Sequence, residues 1–193
     1  MPQDITLFKQ KGSLYFRRIK RSLYLDKNED YEGVDGLLID GEEDEARKII
    51  QSIKAKKINL KLAVVARDDT YNRRILDTMK IDYLVSPELN PRIDTLKQRS
   101  SGLNHVLATI ARDKGVTIII NLSNLISIED PKIKAILISR TIQNILVCRK
   151  ANCKIKFATF AKFESELLDE KQIFSIGTSL KMSSQQAKEA FEF

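Results

Sequence analysis

The sequence predicts an α/β fold in which helices cover a parallel sheet, arranged either as a doubly wound sheet or as a barrel. Three observations carry this. Short apolar runs alternate with longer amphipathic stretches along most of the chain. The apolar runs are continuous, as expected of strands buried on both faces. The strand–helix unit also repeats in order, which makes a parallel sheet the natural assembly. With 193 residues and no low-complexity linker, the chain reads as one domain, 1–193. Residues 1–32 are atypical, and 33–191 are repeated βα units.

The first regular unit opens with GVDGLLID (33–40), a buried strand that ends at an acidic turn. Ala46, Ile49, Ile50 and Ile53 then fall on one helical face. Glu42, Glu43, Asp44 and Glu45 stand at the start of that helix, and Lys54, Lys56 and Lys57 at its end. Both ends suit the helix dipole, so the acidic cluster reads as a helix start rather than a metal site. KLAVVA (61–66) is the next strand, followed by a helix through Tyr71, Ile75, Leu76 and Met79. IDYLVS (81–86) is a third strand. Pro87 and Pro91 break the chain before a helix with Leu103, Val106, Leu107, Ile110 and Ala111 on one face, which Gly115 is placed to end.

VTIIINL (116–122) is the most apolar strand. Asp130 and Pro131 then supply an N-cap and a proline at the first helical position. The helix they open runs to about Lys150 and is expected to hold Ile133, Ile136, Leu137, Ile145 and Cys148 inside. CKIKFATF (153–160) is another strand, KQIFSIGTSL (171–180) a short last element, and Ser183 or Ser184 the cap of a final helix. The N-terminal part differs. TLF (6–8) and SLYFRRIKRSLYL (13–25) read as strands with no helix between them, a hairpin or edge decoration. Leu14, Phe16 and Arg18 fall on one face of the second, and Tyr15, Arg17 and Ile19 on the other.

Bulk properties narrow the function classes. Hydrophobic residues make up 42% and charged residues 31%, a globular composition. No run of about 18 apolar residues exists, so no membrane span is expected. MPQDITLFKQKG has neither a signal-peptide core nor a cleavage site, so the expected location is the cytoplasm. Cys148 and Cys153 read as plain packed thiols. The net charge of +7 and a pI near 9.3 favour a polyanionic partner, although a lysine-rich solvated surface gives the same numbers.

Nucleophile–base chemistry finds no foothold. The one histidine, His105, lies in a predicted helix, and no GxSxG, Walker A or GxGxxG motif occurs. The catalytic rival is a metal-dependent hydrolase with carboxylates at strand ends: Asp40, Asp68, Asp69, Glu88 and the amide Asn121. Each of these equally suits an N-cap or a first helical turn. Cations are more coherent. Lys97, Arg99, His105, Arg112 and Lys114 cluster about one helix, Arg17, Arg18, Lys20 and Arg21 about a strand, and Arg140, Arg149 and Lys150 along the long helix. Such groups bind phosphates. With 7% aromatics and no tryptophan, stacking platforms are scarce, so recognition of a folded RNA by shape and backbone fits better than single-strand binding.

The stretch SPELNPRIDTLKQRSSGLNHVLATIARDKGVTIIINLSNLI (86–126) closely resembles the archaeal and eukaryal ribonuclease P protein subunit known in archaea as component 3. The resemblance rests on Arg99, Ser101, Gly102, Leu103, Asn104 and His105, then a helix, then a buried strand ending in Asn121, Leu122 and Ser123. A second block, QNILVCRK (143–150), is followed by a strand, an IGTSL-type turn and a helix. Together the likeness covers about residues 33–191. Relatives open with an Asp-Leu-Asn strand and an early βα unit. This chain opens with ITLF and SLYFRRIKRSLYL, so the first barrel segment is expected to be shortened or replaced.

The resemblance implies a TIM-like barrel, incomplete or modified at the N-terminus, related to barrel phosphoesterases with histidine-rich metal sites. With one histidine those ligands are gone, so the family likeness implies no catalytic residues, no metal and no cofactor on this chain. Catalysis in the family belongs to the ribonuclease P RNA, with Mg²⁺, and frees the 5′ end of precursor tRNA. Implied partners are that RNA, protein component 2 directly, and components 1 and 4 with a kink-turn-binding ribosomal protein in the particle. The RNA-binding residues expected are Arg99, His105, Arg112, Lys114, Arg17, Arg18, Arg140 and Lys150. The alternatives are a metal-dependent hydrolase on the same barrel and a protein scaffold that makes no RNA contact.

Overall fold

A computed structural model describes residues 4–21, 31–95 and 99–193. Seven strands form one sheet in sequence order: β1 (Ile5–Thr6), β2 (Leu14–Ile19), β3 (Gly36–Ile39), β4 (Lys61–Val65), β5 (Tyr83–Val85), β6 (Thr117–Asn121) and β7 (Ile155–Ala158). Every neighbouring pair is parallel. A doubly wound sheet would reverse its strand order at a switch point; this one does not, and it curls into a nearly closed barrel.

The seam lies between β1 and the chain just beyond β7. Thr6 and Ala161 form a parallel bridge, the Leu7 N–H donates to the Ala161 carbonyl at 2.7 Å, and the Phe160 N–H donates to that of Ile5 at 2.8 Å. Asp4 reinforces it from a buried position, accepting from the Thr159 N–H at 2.8 Å and the Thr159 hydroxyl at 2.5 Å. Burial raises the pKa of Asp4, and these same bonds oppose the rise. The N-terminal hairpin expected from sequence is therefore not formed. β1 must run parallel to β7 to close the barrel, and it pairs in parallel with β2 as well, Ile5 opposite Leu14. Only Ile5 and Thr6 are strand, not Leu7 and Phe8, and residues 22–25 of the second expected strand lie outside the described residues.

Alternate strand residues face two cores. Ile5, Phe16, Leu38, Val85, Ile119 and Phe160 fill the barrel interior. Leu37, Ile39, Val64, Leu84, Ile118 and Ile120 face outward beneath the helices. This is why the strands read as continuous apolar runs. Gly36 makes room for the interior aromatic of β2, since a Cβ there would lie 2.4 Å from the Phe16 ring.

Among the described residues, seven helices surround the sheet: α1 (Glu43–Ala55), α2 (Asp69–Thr78), α3 (His105–Lys114), α4 (Leu122–Ser127), α5 (Pro131–Ala151), α6 (Glu170–Ser179) and α7 (Ser184–Glu189). Their ends follow local chemistry. Asp68, Asn104, Asp130 and Ser183 accept N-terminal N–H groups of α2, α3, α5 and α7, and Gly115 ends α3 at φ 71°. The short element expected at 171–180 is α6, whose last turn holds the IGTS residues as helix rather than as a turn; a capping box at Asp169 starts it. Within α5 burial begins at Leu137, and Ile133 and Ile136, expected inside, stand exposed. Cys148 and Cys153 are buried free thiols. Among the described residues, no helix is long and apolar enough to cross a membrane.

Candidate functional site

The segment between β5 and α3 carries the most distinctive part of the sequence, and the fold holds it with buried polar groups. Ser86 adopts a left-handed conformation (φ 57°, ψ 50°) and turns the chain into a 3-10 turn, Pro87–Leu89. The loop then folds back onto α5. Arg140, only 6% exposed, reaches across and uses its whole guanidinium. Nε donates to Asp94 Oδ1 at 2.9 Å, Nη1 to the carbonyls of Glu88 (3.2 Å) and Asn90 (2.8 Å), and Nη2 to that of Arg92 (2.6 Å).

Asn144 and Asn72 complete the clamp. Asn144 donates to the Ser101 carbonyl at 3.0 Å, and Asn72, from α2, donates to the Gly102 carbonyl at 2.9 Å. Gly102 sits at φ 69°, where a Cβ would meet the Pro87 carbonyl oxygen at 2.1 Å, so only glycine fits. Burial raises Asp94, yet Arg140 and the Ser100 N–H outweigh it and hold the carboxyl below its ordinary value. Glu88 is buried within the turn, and that burial pushes its pKa up to about 8. Ser86 lies close enough to lower it slightly, although no hydrogen bond of normal geometry joins the two.

This arrangement corrects one expectation. Arg140 does not belong to a phosphate-binding face: its donors are satisfied inside the fold, where they neutralise Asp94 and cap loop carbonyls. Arg99 behaves differently. Its side chain is exposed, while its backbone carbonyl accepts a long bond from Gln143 at 3.5 Å. His105 is the first residue of α3, and it too is exposed. Arg99 and His105 thus flank the N-terminus of α3. Arg112 and Lys114 stand at its other end, about 10 Å or more along the axis at ~1.5 Å per residue. There Arg112 donates to the Ala151 carbonyl at 3.0 Å, and Lys114 to that of Asp77 at 3.4 Å. The groups expected to cluster about this helix stand in two pairs, one at each end. Lys150 is exposed in the last turn of α5, Arg17 lies over the Tyr31 ring at 5.7 Å, and Lys97 lies outside the described residues.

Arg18 points to a second place, the mouth of the barrel at the carboxyl ends of the strands. A cavity of about 440 Å³ opens there, with Leu38, Val65, Val85 and Phe160 among its walls and Arg18 and Lys162 at its edge. Arg18 is paired with Asp40 at 2.6 Å. The carboxylates that could have held a metal at strand ends have other partners: Asp68 caps α2, and Asp69 accepts from Asn90 at 3.3 Å. Asn121 caps α4. Among the described residues, no three His, Cys, Asp or Glu side chains gather as a metal site would need. Sequence reading missed the clamp asparagines and Lys162. Asn72 and Asn144 sit on the buried faces of their helices, and a polar residue at such a position is the signal that could have found them.

No family model and no curated protein matches the chain. The barrel has a counterpart in archaeal ribonuclease P. A chain of the cryo-EM structure of archaeal ribonuclease P with mature tRNA superposes with a TM-score of 0.71 at 14% identity, over 97% of this chain and 85% of that one. A prolidase complexed with N-methylphosphonate-L-proline (TM-score 0.58, 13% identity) is also similar, over 83% of this chain and 41% of that one. So is A. niger ochratoxinase (TM-score 0.56, 10% identity), over 82% and 38%. At these identities the likeness is one of fold, and this chain spans about two fifths of the two hydrolases.

Proposed function

We propose that this chain is a protein subunit of ribonuclease P, which supports the catalytic RNA that removes the 5′ leader of precursor tRNA and carries no active site of its own. The observation that carries the reading is the end-to-end match to a chain of archaeal ribonuclease P, 97% of one and 85% of the other. The two sequence blocks around Arg99–His105 and Gln143–Lys150 point the same way. In this reading component 2 is the direct protein partner, components 1 and 4 and a kink-turn-binding ribosomal protein complete the particle, and Mg²⁺ serves the RNA.

Arg99 and His105 form the RNA-facing surface at the start of α3, where free backbone N–H groups add to the attraction for phosphate. The exposed Ile133 and Ile136 on the first turns of α5 form the face for component 2, because apolar side chains left in water there are covered on association. Cleavage of precursor tRNA by the reconstituted particle, with and without this chain, tests the role. Omission should lower the rate, and an unchanged rate would refute it. Ile133→Asp with Ile136→Asp should abolish co-migration with component 2 at micromolar concentration. The hydrolase likenesses support a second reading, metal-dependent hydrolysis. Cleavage by the protein alone with Mg²⁺ that disappears in Asp40→Ala or Asp68→Ala would favour it.

A further inference from the structure

We propose that the barrel mouth is a binding pocket for a nucleoside monophosphate, with the phosphate held by Arg18 and Lys162. The cavity of about 440 Å³ falls in the range of small-molecule sites. Its chemistry is divided. Arg18, near the end of β2, and Lys162, beyond β7, lie on either side of the two-residue β1, and both line the same cavity. Only one nitrogen of Arg18 is engaged by Asp40, which leaves further guanidinium donors. Lys162 has no carboxylate partner among the described residues. Its own backbone N–H, not its ammonium, bonds Glu166.

Across the barrel the groups are neutral. Ser86, 1% exposed, lines the cavity, and its buried hydroxyl lies against Glu88. Asn121, at the end of β6, and Asn124, in α4, line the same cavity. Between the cations and the neutral donors lies the apolar floor of Leu38, Val65, Val85 and Phe160. An anion at one side, a flat apolar body over the floor and hydrogen-bonding edges at the other side describe a nucleotide. One phosphate is favoured over two, because Asp40 and Glu166 already offset part of the positive charge. This pocket is separate from the Arg99–His105 surface, and the ribonuclease P reading stands or falls without it.

Titration of the whole protein with AMP, GMP, CMP and UMP, followed by calorimetry and by NMR shifts of the mouth residues, tests the proposal. Adenosine, inorganic phosphate and a short single-stranded RNA are the comparison probes. At least one monophosphate should bind at millimolar concentration or below, tenfold or more tightly than its nucleoside. Lys162→Gln and Arg18→Gln should erase that advantage. Val65→Phe, which fills the cavity, should abolish binding while its far-UV CD and melting profile stay those of a folded protein. If the short RNA competes for the site and loses that ability in Val65→Phe, the natural ligand is a nucleotide unit of a strand; if it does not compete, the ligand is a free nucleotide. Absence of binding by every monophosphate to the folded protein would overturn the proposal. So would affinity unchanged in both Lys162→Gln and Val65→Phe.

Discussion

The seam between the 86–104 loop and α5 has an inner and an outer side. On the inner side Arg140 and Asn144 are buried, and their donors fasten loop carbonyls. On the outer side Arg99 and Gln143 face solvent and are joined only by a 3.5 Å contact to a backbone oxygen. The two arginines look alike in the sequence, each followed by a small hydroxyl residue, Ser100 and Thr141. What separates them is that Arg140 has four acceptors converging on it, while the exposed Arg99 acts on Asp94 through its charge. The lesson is that a buried guanidinium organises the loop so that an exposed one can be presented from it.

The inner side should break first and most. Arg140→Ala leaves Asp94 and three carbonyls without their donors, and removal of one partner from a buried pair costs about 3–5 kcal/mol. Chemical denaturation should show that loss, and a change below about 0.5 kcal/mol, the usual size for a surface site, would place Arg140 outside the structural core. Gly102→Ala follows. A side chain in the left-handed region costs roughly 1–3 kcal/mol, and the Pro87 oxygen 2.1 Å from the new Cβ adds a backbone clash. Normal stability in Gly102→Ala would mean that the loop is free to move off the turn at Pro87.

Glu88 gives the inner side a pH signature. Its pKa is about 8 in the fold against 4.5 for the free side chain. The folded protein therefore keeps a proton that the unfolded chain releases above 4.5. This contribution to stability is complete below that pH and is lost as pH rises toward 8, with a slope of at most about 1.4 kcal/mol per pH unit. Asp94, held low, works in the opposite direction and is lost only on acidification below its ordinary 3.8. Melting temperatures of the wild type should fall between pH 5 and pH 8, and Glu88→Gln should flatten that fall. Equal slopes in both proteins would mean that Glu88 is solvated.

Much of this seam was hidden in the sequence, while the barrel around it was not. The strands, Asp68, Asp130 and Gly115 were legible because caps and periodicity are local. Barrel closure was not, because it depends on Asp4 meeting Thr159 across nearly the whole chain. Ile133 and Ile136 have the right spacing for a core face, but spacing does not say where along α5 the sheet begins to cover it. Arg140 carried the same ambiguity. Its burial is created by residues 88–94 folding back, and no window around position 140 contains them. The mouth of the barrel gathers Arg18 and Lys162 from opposite ends of the chain, so it too had no local signal.

The smallest structural effect belongs to the outer side, and it separates the two sides most sharply. Arg99→Ala removes an exposed side chain whose backbone carbonyl, not its guanidinium, meets Gln143. Stability should change by no more than about 0.5 kcal/mol. If Arg99 contacts a phosphate of the ribonuclease P RNA, affinity should drop, and the slope of log K against log salt should shrink by about one phosphate's worth. The loss should be the same for different precursor tRNAs, because phosphate contacts carry little sequence information. Arg112→Ala is the internal comparison. Its guanidinium fastens α3 to the Ala151 carbonyl, so it should cost stability by about 1 kcal/mol, the size of an ordinary hydrogen bond. If RNA contact is confined to the start of α3, Arg112→Ala leaves the salt slope unchanged. An RNA phenotype in Arg112→Ala and none in Arg99→Ala would move the interface to the opposite end of the helix.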